Sequence, residues 1–349
     1  MAASRSTRSS GGSRATGGSR ASGGSGPAGG SRPLAAASSN LVPVGESPPG
    51  YRAGFACFVG RPNAGKSTLT NALVGSKVAI TSGRPQTTRH AIRGIVHRDD
   101  AQLILVDTPG LHRPRTLLGQ RLNDVVRATL SEVDLVGFCM PADEPLGRGD
   151  RFIAEELARL PKRTPIIAIL TKTDKVADHD RVGARLLEVA KLGDFHDIVP
   201  VSAVRSFQVD VLADVLVSHL PTGPALYPDG ELTDEPEQVM VAELVREAAL
   251  EGVRDELPHS LAVVVEEMIP REDRPADRPL LDVRVHVFVE RPSQKAIVIG
   301  AGGSRLKDVG SRARSQIEAL LGTPVFLDLH VKVAKDWQRD PRQLRRLGF

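Results

Sequence analysis

Lys66 and Ser67 close the run Gly60-Arg61-Pro62-Asn63-Ala64-Gly65-Lys66-Ser67, which fits the pattern G-x-x-x-x-G-K-[ST]. In such a run, backbone N–H groups wrap a polyphosphate, the lysine reaches the β and γ phosphates, and the serine hydroxyl ligates Mg²⁺. That is chemistry for a nucleotide. The elements it needs are in place: Gly54 to Val59 reads as a buried parallel strand, and Thr68 to Val74 as a helix whose N-terminus faces the phosphates. A chance glycine-rich turn would lack that strand, loop and helix in register.

Three further segments fall at expected strand ends. Asp107-Thr108-Pro109-Gly110 follows the apolar run Leu103 to Val106, where the aspartate can hold Mg²⁺ through water and the Gly110 N–H can sense a γ-phosphate. Thr87 and Thr88, within Pro85-Gln86-Thr87-Thr88-Arg89-His90, offer hydroxyls in a loop able to close on the metal. Together they make a switch, because losing the γ-phosphate removes the contacts that order both segments. Finally, Thr171-Lys172-Thr173-Asp174 and Ser202-Ala203 follow two more apolar runs. An aspartate there accepts N1–H and the exocyclic amine of guanine, whereas adenine has no N1–H to give. The pair resembles the N-K-x-D and S-A motifs of GTPases, with Thr171 replacing the usual Asn. Lacking a carboxamide to brace base and phosphate loop, Thr171 leads us to expect weaker nucleotide affinity.

The Gly60 to Ser67 run, Gln86-Thr87-Thr88-Arg89-His90 and Asp107-Thr108-Pro109-Gly110-Leu111-His112 resemble the first three signatures of the bacterial Era GTPases, a resemblance spanning about residues 51–349. It implies an α/β fold in which a Ras-like P-loop GTPase domain (51–220) and a linker (221–237) lead to an α+β type II KH domain (238–349). It also implies binding to the 3′ end of 16S rRNA, a role in 30S assembly, and a cytoplasmic monomer with peripheral membrane association left open. Residue by residue, it places GTP against Gly60 to Thr68, Asp107 to Gly110, Thr171 to Asp174, Ser202 and Ala203. Mg²⁺ falls to Ser67, Thr88 and Asp107, switch I to Gln86 through His90, and catalysis to Lys66, Thr88 and Gly110. Leu111 stands where Ras-type proteins carry a water-orienting glutamine, so slow hydrolysis is expected. By the same analogy K⁺ would sit beside Asn63 and the loop 82–88.

The composition fits a cytoplasmic two-domain chain. Of 349 residues 40% are hydrophobic and 25% charged. The longest apolar runs fall far short of the roughly 20 residues of a membrane span. Cys57 and Cys139 lie in apolar strand-like runs, as buried free thiols do. Residues 1–50, rich in Gly, Ser and Ala with five arginines against Glu46 alone, read as a disordered tail. Residues 291–349 hold twelve basic and five acidic side chains, leaving an acidic body and a basic end suited to an anionic partner.

That basic end contains Gly300-Ala301-Gly302-Gly303, then Ser304, Arg305 and Lys307. A G-x-x-G turn brings phosphates close to the main chain and clamps about four nucleotides. By local propensity 294–299 is a strand; the type II KH order makes 293–299 a helix. With no basic residue inside the turn, Arg305 and Lys307 are the expected phosphate contacts. Two other classes compete. A P-loop kinase or ATPase would need adenine recognition, against which Asp174 and Ser202-Ala203 speak, and a non-catalytic GTP switch is the reading Leu111 leaves open.

Overall fold

The computed structural model describes residues 47–349 apart from 83–86, 113, 115, 252–259, 273, 276, 277 and 349. The expected disordered tail therefore lies outside the described residues, save its last four, as does Gln86 of switch I.

Apolar runs buried on both faces build the first sheet. Its strands are β1 (Arg52–Gly60), β2 (Ile92–His97), β3 (Ala101–Asp107), β4 (Leu135–Pro141), β5 (Ile166–Thr171) and β6 (Asp197–Pro200), in the order β2-β3-β1-β4-β5-β6. All of β3 and β4 is buried, as continuous apolar strands between helical layers must be. Helices α1 (Lys66–Val74) and α5 (Val209–Ser218) cover one face. The other is covered by α2 (Leu117–Glu132), α3 (Arg148–Leu157) and α4 (His179–Ala190).

The sheet is mixed rather than wholly parallel: β2 pairs antiparallel with β3. Only Arg98-Asp99-Asp100 separates them, too short for a crossover, so the two must form a hairpin. The linker also differs from a loose spacer. It is strapped along the β2 edge, with Ile95 N–H on the Leu232 carbonyl (2.9 Å), Arg93 paired with Asp234 (3.0 Å) and the Gln102 side chain clasping Leu226 and Tyr227. The strap satisfies an edge that would otherwise be open to pairing.

A second sheet follows α6 (Glu237–Leu250): β7 (Ala262–Pro270), β8 (Leu281–Val289) and β9 (Val325–Val333), with β7 antiparallel and β9 parallel to β8. Val283, Val285, Val287 and Val289 alternate inward onto α6, α7 (Pro292–Ile299) and α8 (Ser304–Leu321). Residues 292–299 are helical despite their β-branched content. Pro292 presets the first turn, and the Gln294 carboxamide accepts from the Glu290 and Arg291 N–H groups. After β9, a 3₁₀ turn (Trp337–Arg339) and α9 (Pro341–Arg346) pack against α2 and the outer face of the second sheet.

Candidate functional site

β1 ends at Gly60 and α1 begins at Lys66, so the intervening loop wraps a cavity of about 380 Å³. Lys66 is buried, its Nζ only 3.5 and 3.4 Å from the Gly60 and Arg61 carbonyls. Burial pulls its pKa below the lysine range, and nearby Asp107 pulls it partly back. An anion in the loop would raise it again. Gly110 approaches the loop so closely that a Cβ there would lie 2.7 Å from the Pro62 nitrogen.

Three oxygens converge at the cavity wall. Ser67 Oγ donates to Asp107 Oδ2 (2.6 Å), Thr88 Oγ1 donates to the same oxygen (3.1 Å), and the two hydroxyls are 2.9 Å apart. Asp107 Oδ1 is buried and has no hydrogen-bond partner among the described residues. Burial raises the Asp107 pKa, opposed by Lys66 and the two hydroxyls. An all-oxygen donor set with one orphaned buried carboxylate oxygen suits a hard divalent cation such as Mg²⁺.

Other expected residues act through their surroundings. The Arg61 side chain turns away from the cavity to pair with buried Asp150 (2.8 Å) and Glu144 (3.2 Å), tying the loop to the start of α3. Buried Thr108 donates to the Phe58 carbonyl (2.7 Å). Leu111 is buried, and its N–H reaches the Gly60 carbonyl (3.2 Å).

At the base end, Asp174 Oδ1 accepts from Ser202 Oγ (2.6 Å), and Thr173 N–H reaches the Val201 carbonyl (3.3 Å). Thr171 lacks the carboxamide but still reaches the phosphate loop. Its hydroxyl donates to the Ala64 carbonyl (2.6 Å), so the phosphate loop is braced without a carboxamide. Lys172, in the left-handed region at φ 58°, lines the cavity beside Asn63 and Thr68, as does Lys175, which sequence reasoning passed over. Its place after Asp174 was the available signal.

The C-terminal domain grips switch I through α6 and the residue before β7, a relationship invisible in the motifs. The Thr87 carbonyl accepts from Arg246 of α6, and Arg89 Nη1 donates to the Leu261 carbonyl (2.6 Å). Arg246 pairs with buried Glu243. Burial pushes the Glu243 carboxyl up, but Arg246, with His90 and Arg89 nearby, outweighs it and holds the group below its ordinary range.

Between α8 and β9 lies a groove of about 360 Å³ lined by Gly303, Leu306, Lys307, Gly310, Arg314 and Phe326. Ser304 opens α8, and Gly300 to Gly303 form the turn before it. Arg305 departs from the expectation. Its guanidinium donates to the Ala249 (3.2 Å) and Glu251 (2.8 Å) carbonyls at the end of α6. Those orphan carbonyls draw the nearest cation, leaving Lys307 and Arg314 as the groove's bases.

Family comparison agrees with this layout. A model described as a 50S ribosome-binding GTPase matches residues 55–172, and one described as a KH domain matches 256–338. GTPase Era of Streptomyces coelicolor is 73% identical over 304 residues, covering 86% of this chain and 95% of that protein. The chain belongs to the Era GTPase family. GTPase Era of Nocardioides sp. is 68% identical over 86% of this chain and 97% of its own length. Among solved structures, Era in complex with MgGDPNP and nucleotides 1506–1542 of 16S ribosomal RNA superposes with a TM-score of 0.82 at 36% identity. It covers 85% of this chain and 99% of that one. A point variant of Aquifex aeolicus Era bound to GDP·AlF4⁻ gives 0.81 at 36% identity with the same coverage. This Era-family chain is thus a GTPase with a Ras-like G domain and a C-terminal KH domain.

Proposed function

We propose that this chain binds and hydrolyses GTP and, through its KH groove, holds the 3′ end of 16S rRNA during 30S subunit maturation. The convergence of Ser67, Thr88 and Asp107 on one wall of the phosphate cavity carries the reading. Its likeness to an Era bound to MgGDPNP and 16S nucleotides supports the RNA half.

Ser67 and Thr88 would hold Mg²⁺ directly and Asp107 through water; the ion's charge offsets that of the phosphates. Lys66 would reach the β and γ oxygens, and the loop N–H groups would complete the cradle. Phosphoryl transfer passes through a loose transition state, so positioning and charge neutralisation supply most of the rate. Leu111 cannot orient water, so hydrolysis rests on Lys66, Gly110 N–H, Thr88 and the bound cations, and turnover is slow. Asn63 lies at the cavity wall; there it would hold K⁺ beside the triphosphate, and hydrolysis would then be faster in KCl than in NaCl. Asp174, fixed by Ser202, selects guanine.

Equilibrium binding of GTP, ATP and GDP, with hydrolysis followed in Mg²⁺ and in EDTA, tests the first half. Retention of a 16S 3′-end oligonucleotide tests the second. A preference for ATP, or no affinity for the oligonucleotide in either nucleotide state, overturns the reading.

A further inference from the structure

The segment after β9 touches both halves of the switch. Trp337 is fully buried; its indole N–H donates to the Ser260 carbonyl (3.0 Å), and the Arg89 guanidinium lies 5.6 Å from its ring centre. Leu344 and Leu347 join Trp337 in one apolar cluster with Leu118 and Leu122 of α2, the helix that follows Gly110 and Leu111. The Ala334 N–H on the Val289 carbonyl (2.8 Å) ties the segment to β8. Its arginines 339, 342, 345 and 346 face solvent.

Arg89 directly follows Thr88. It is 2% exposed, in contact with the indole ring and bonded to the Leu261 carbonyl. A guanidinium so deeply buried is stable only where such partners surround it. With Arg89 fixed, the backbone leaves Thr88 little freedom, and Thr88 Oγ1 is found against Asp107 and Ser67.

We propose that Trp337 is a positioning residue for GTP hydrolysis: by backing Arg89 it holds Thr88 at the phosphate cavity. This rests on the GTP site proposed above. The C-terminal segment, beyond the groove that would hold RNA, thereby becomes part of the hydrolytic apparatus. GDP has no γ-phosphate for switch I to close on, so its affinity is independent of this contact.

The test is single-turnover GTP hydrolysis by the full chain and by Trp337→Ala, Trp337→Phe, Arg89→Met and the Trp337→Ala/Arg89→Met pair, with GDP affinity measured alongside. We expect Trp337→Ala and Arg89→Met each to slow hydrolysis about tenfold and the pair to be no slower than either, as for residues acting as one unit. GDP affinity should stay within about twofold, and Trp337→Phe should recover most of the rate. An unchanged or faster rate in both single variants, additive losses in the pair, or loss of GDP binding in step with hydrolysis overturns the proposal. Should Trp337→Ala fail to fold, Arg89→Met decides it. No hydrolysis by the parent chain would instead sink the GTPase reading beneath it.

Discussion

The hydroxyl of Thr171 at the end of β5 donates to the carbonyl of Ala64 in the phosphate loop across 2.6 Å. Both residues are buried, so no water can replace the bond if it is lost. Thr171→Val keeps the shape and removes the donor, leaving a buried carbonyl unsatisfied at a cost of about 1–3 kcal/mol. Because the loop cradles phosphates common to GTP and GDP, both affinities should fall together, by about tenfold or more. Thr171→Ser should retain them. Dissociation rates of fluorescent GTP and GDP analogues check this; selective loss of GTP alone would contradict it.

Asp174 presents guanine with a carboxylate already oriented by Ser202. Asp174→Asn preserves an oxygen to accept the Ser202 hydrogen bond, so the loop should keep its shape while one acceptor becomes a donor. Guanine's N1–H and amine then lose their partner, and xanthine, with a carbonyl in place of the amine, gains one. Competition between GTP and xanthosine triphosphate should show preference moving to the latter; unchanged GTP selectivity would mean the base is read elsewhere.

What was legible in the sequence is what a short stretch of backbone must do by itself. A loop that wraps phosphates needs its glycines and lysine at fixed spacing, and buried strands need unbroken apolar runs, so 60–67 and β3 to β5 could be read directly. Partners far apart in the chain were not legible. Thr171 braces Ala64 from 107 positions away, and Arg89, read as a switch residue, is buried against Leu261 and Trp337. Arg305 looked free for phosphate because nothing near it in sequence marks the end of α6 as needing a cation. Residues 292–299 show the reverse case, since Pro292 and the Gln294 cap override the strand propensity of Ile297, Val298 and Ile299.

Gly302 lies at φ 58° in the turn before α8, and a Cβ there would meet no described residue within 4 Å. A Cβ fits the space, and Asp or Asn bears this left-handed conformation with at most about 1–2 kcal/mol of strain. Gly302→Asp therefore leaves the domain folded while setting a negative charge where phosphates would approach. Gly302→Asn carries the same backbone cost without the charge. The first should abolish retention of a 16S 3′-end oligonucleotide and the second only weaken it, with GTP affinity untouched in both. Equal binding by both variants and parent would place the RNA site away from this turn.

His286 gives the second sheet a pH dependence of known sign. Its Nε2 lies 2.7 Å from Glu266 Oε2 and its Nδ1 3.2 Å from the Lys332 ammonium, with His330 directly across the register and Arg284 nearby. A neutral ring satisfies both contacts, accepting from lysine at Nδ1 and donating to glutamate at Nε2; a second ring proton would point at the ammonium. Burial lowers the pKa, Glu266 raises it, and Lys332, His330 and Arg284 lower it further, leaving it below the ordinary 6.5. The unfolded chain then takes up a proton before the folded one does. Stability from this group is full above about pH 6.5 and is lost as pH falls through the folded value. Urea midpoints at pH 7.5 and 5.5 should differ less for His286→Gln than for the parent, since glutamine keeps a donor and an acceptor but cannot titrate. An equal drop in both would assign the acid sensitivity to other groups.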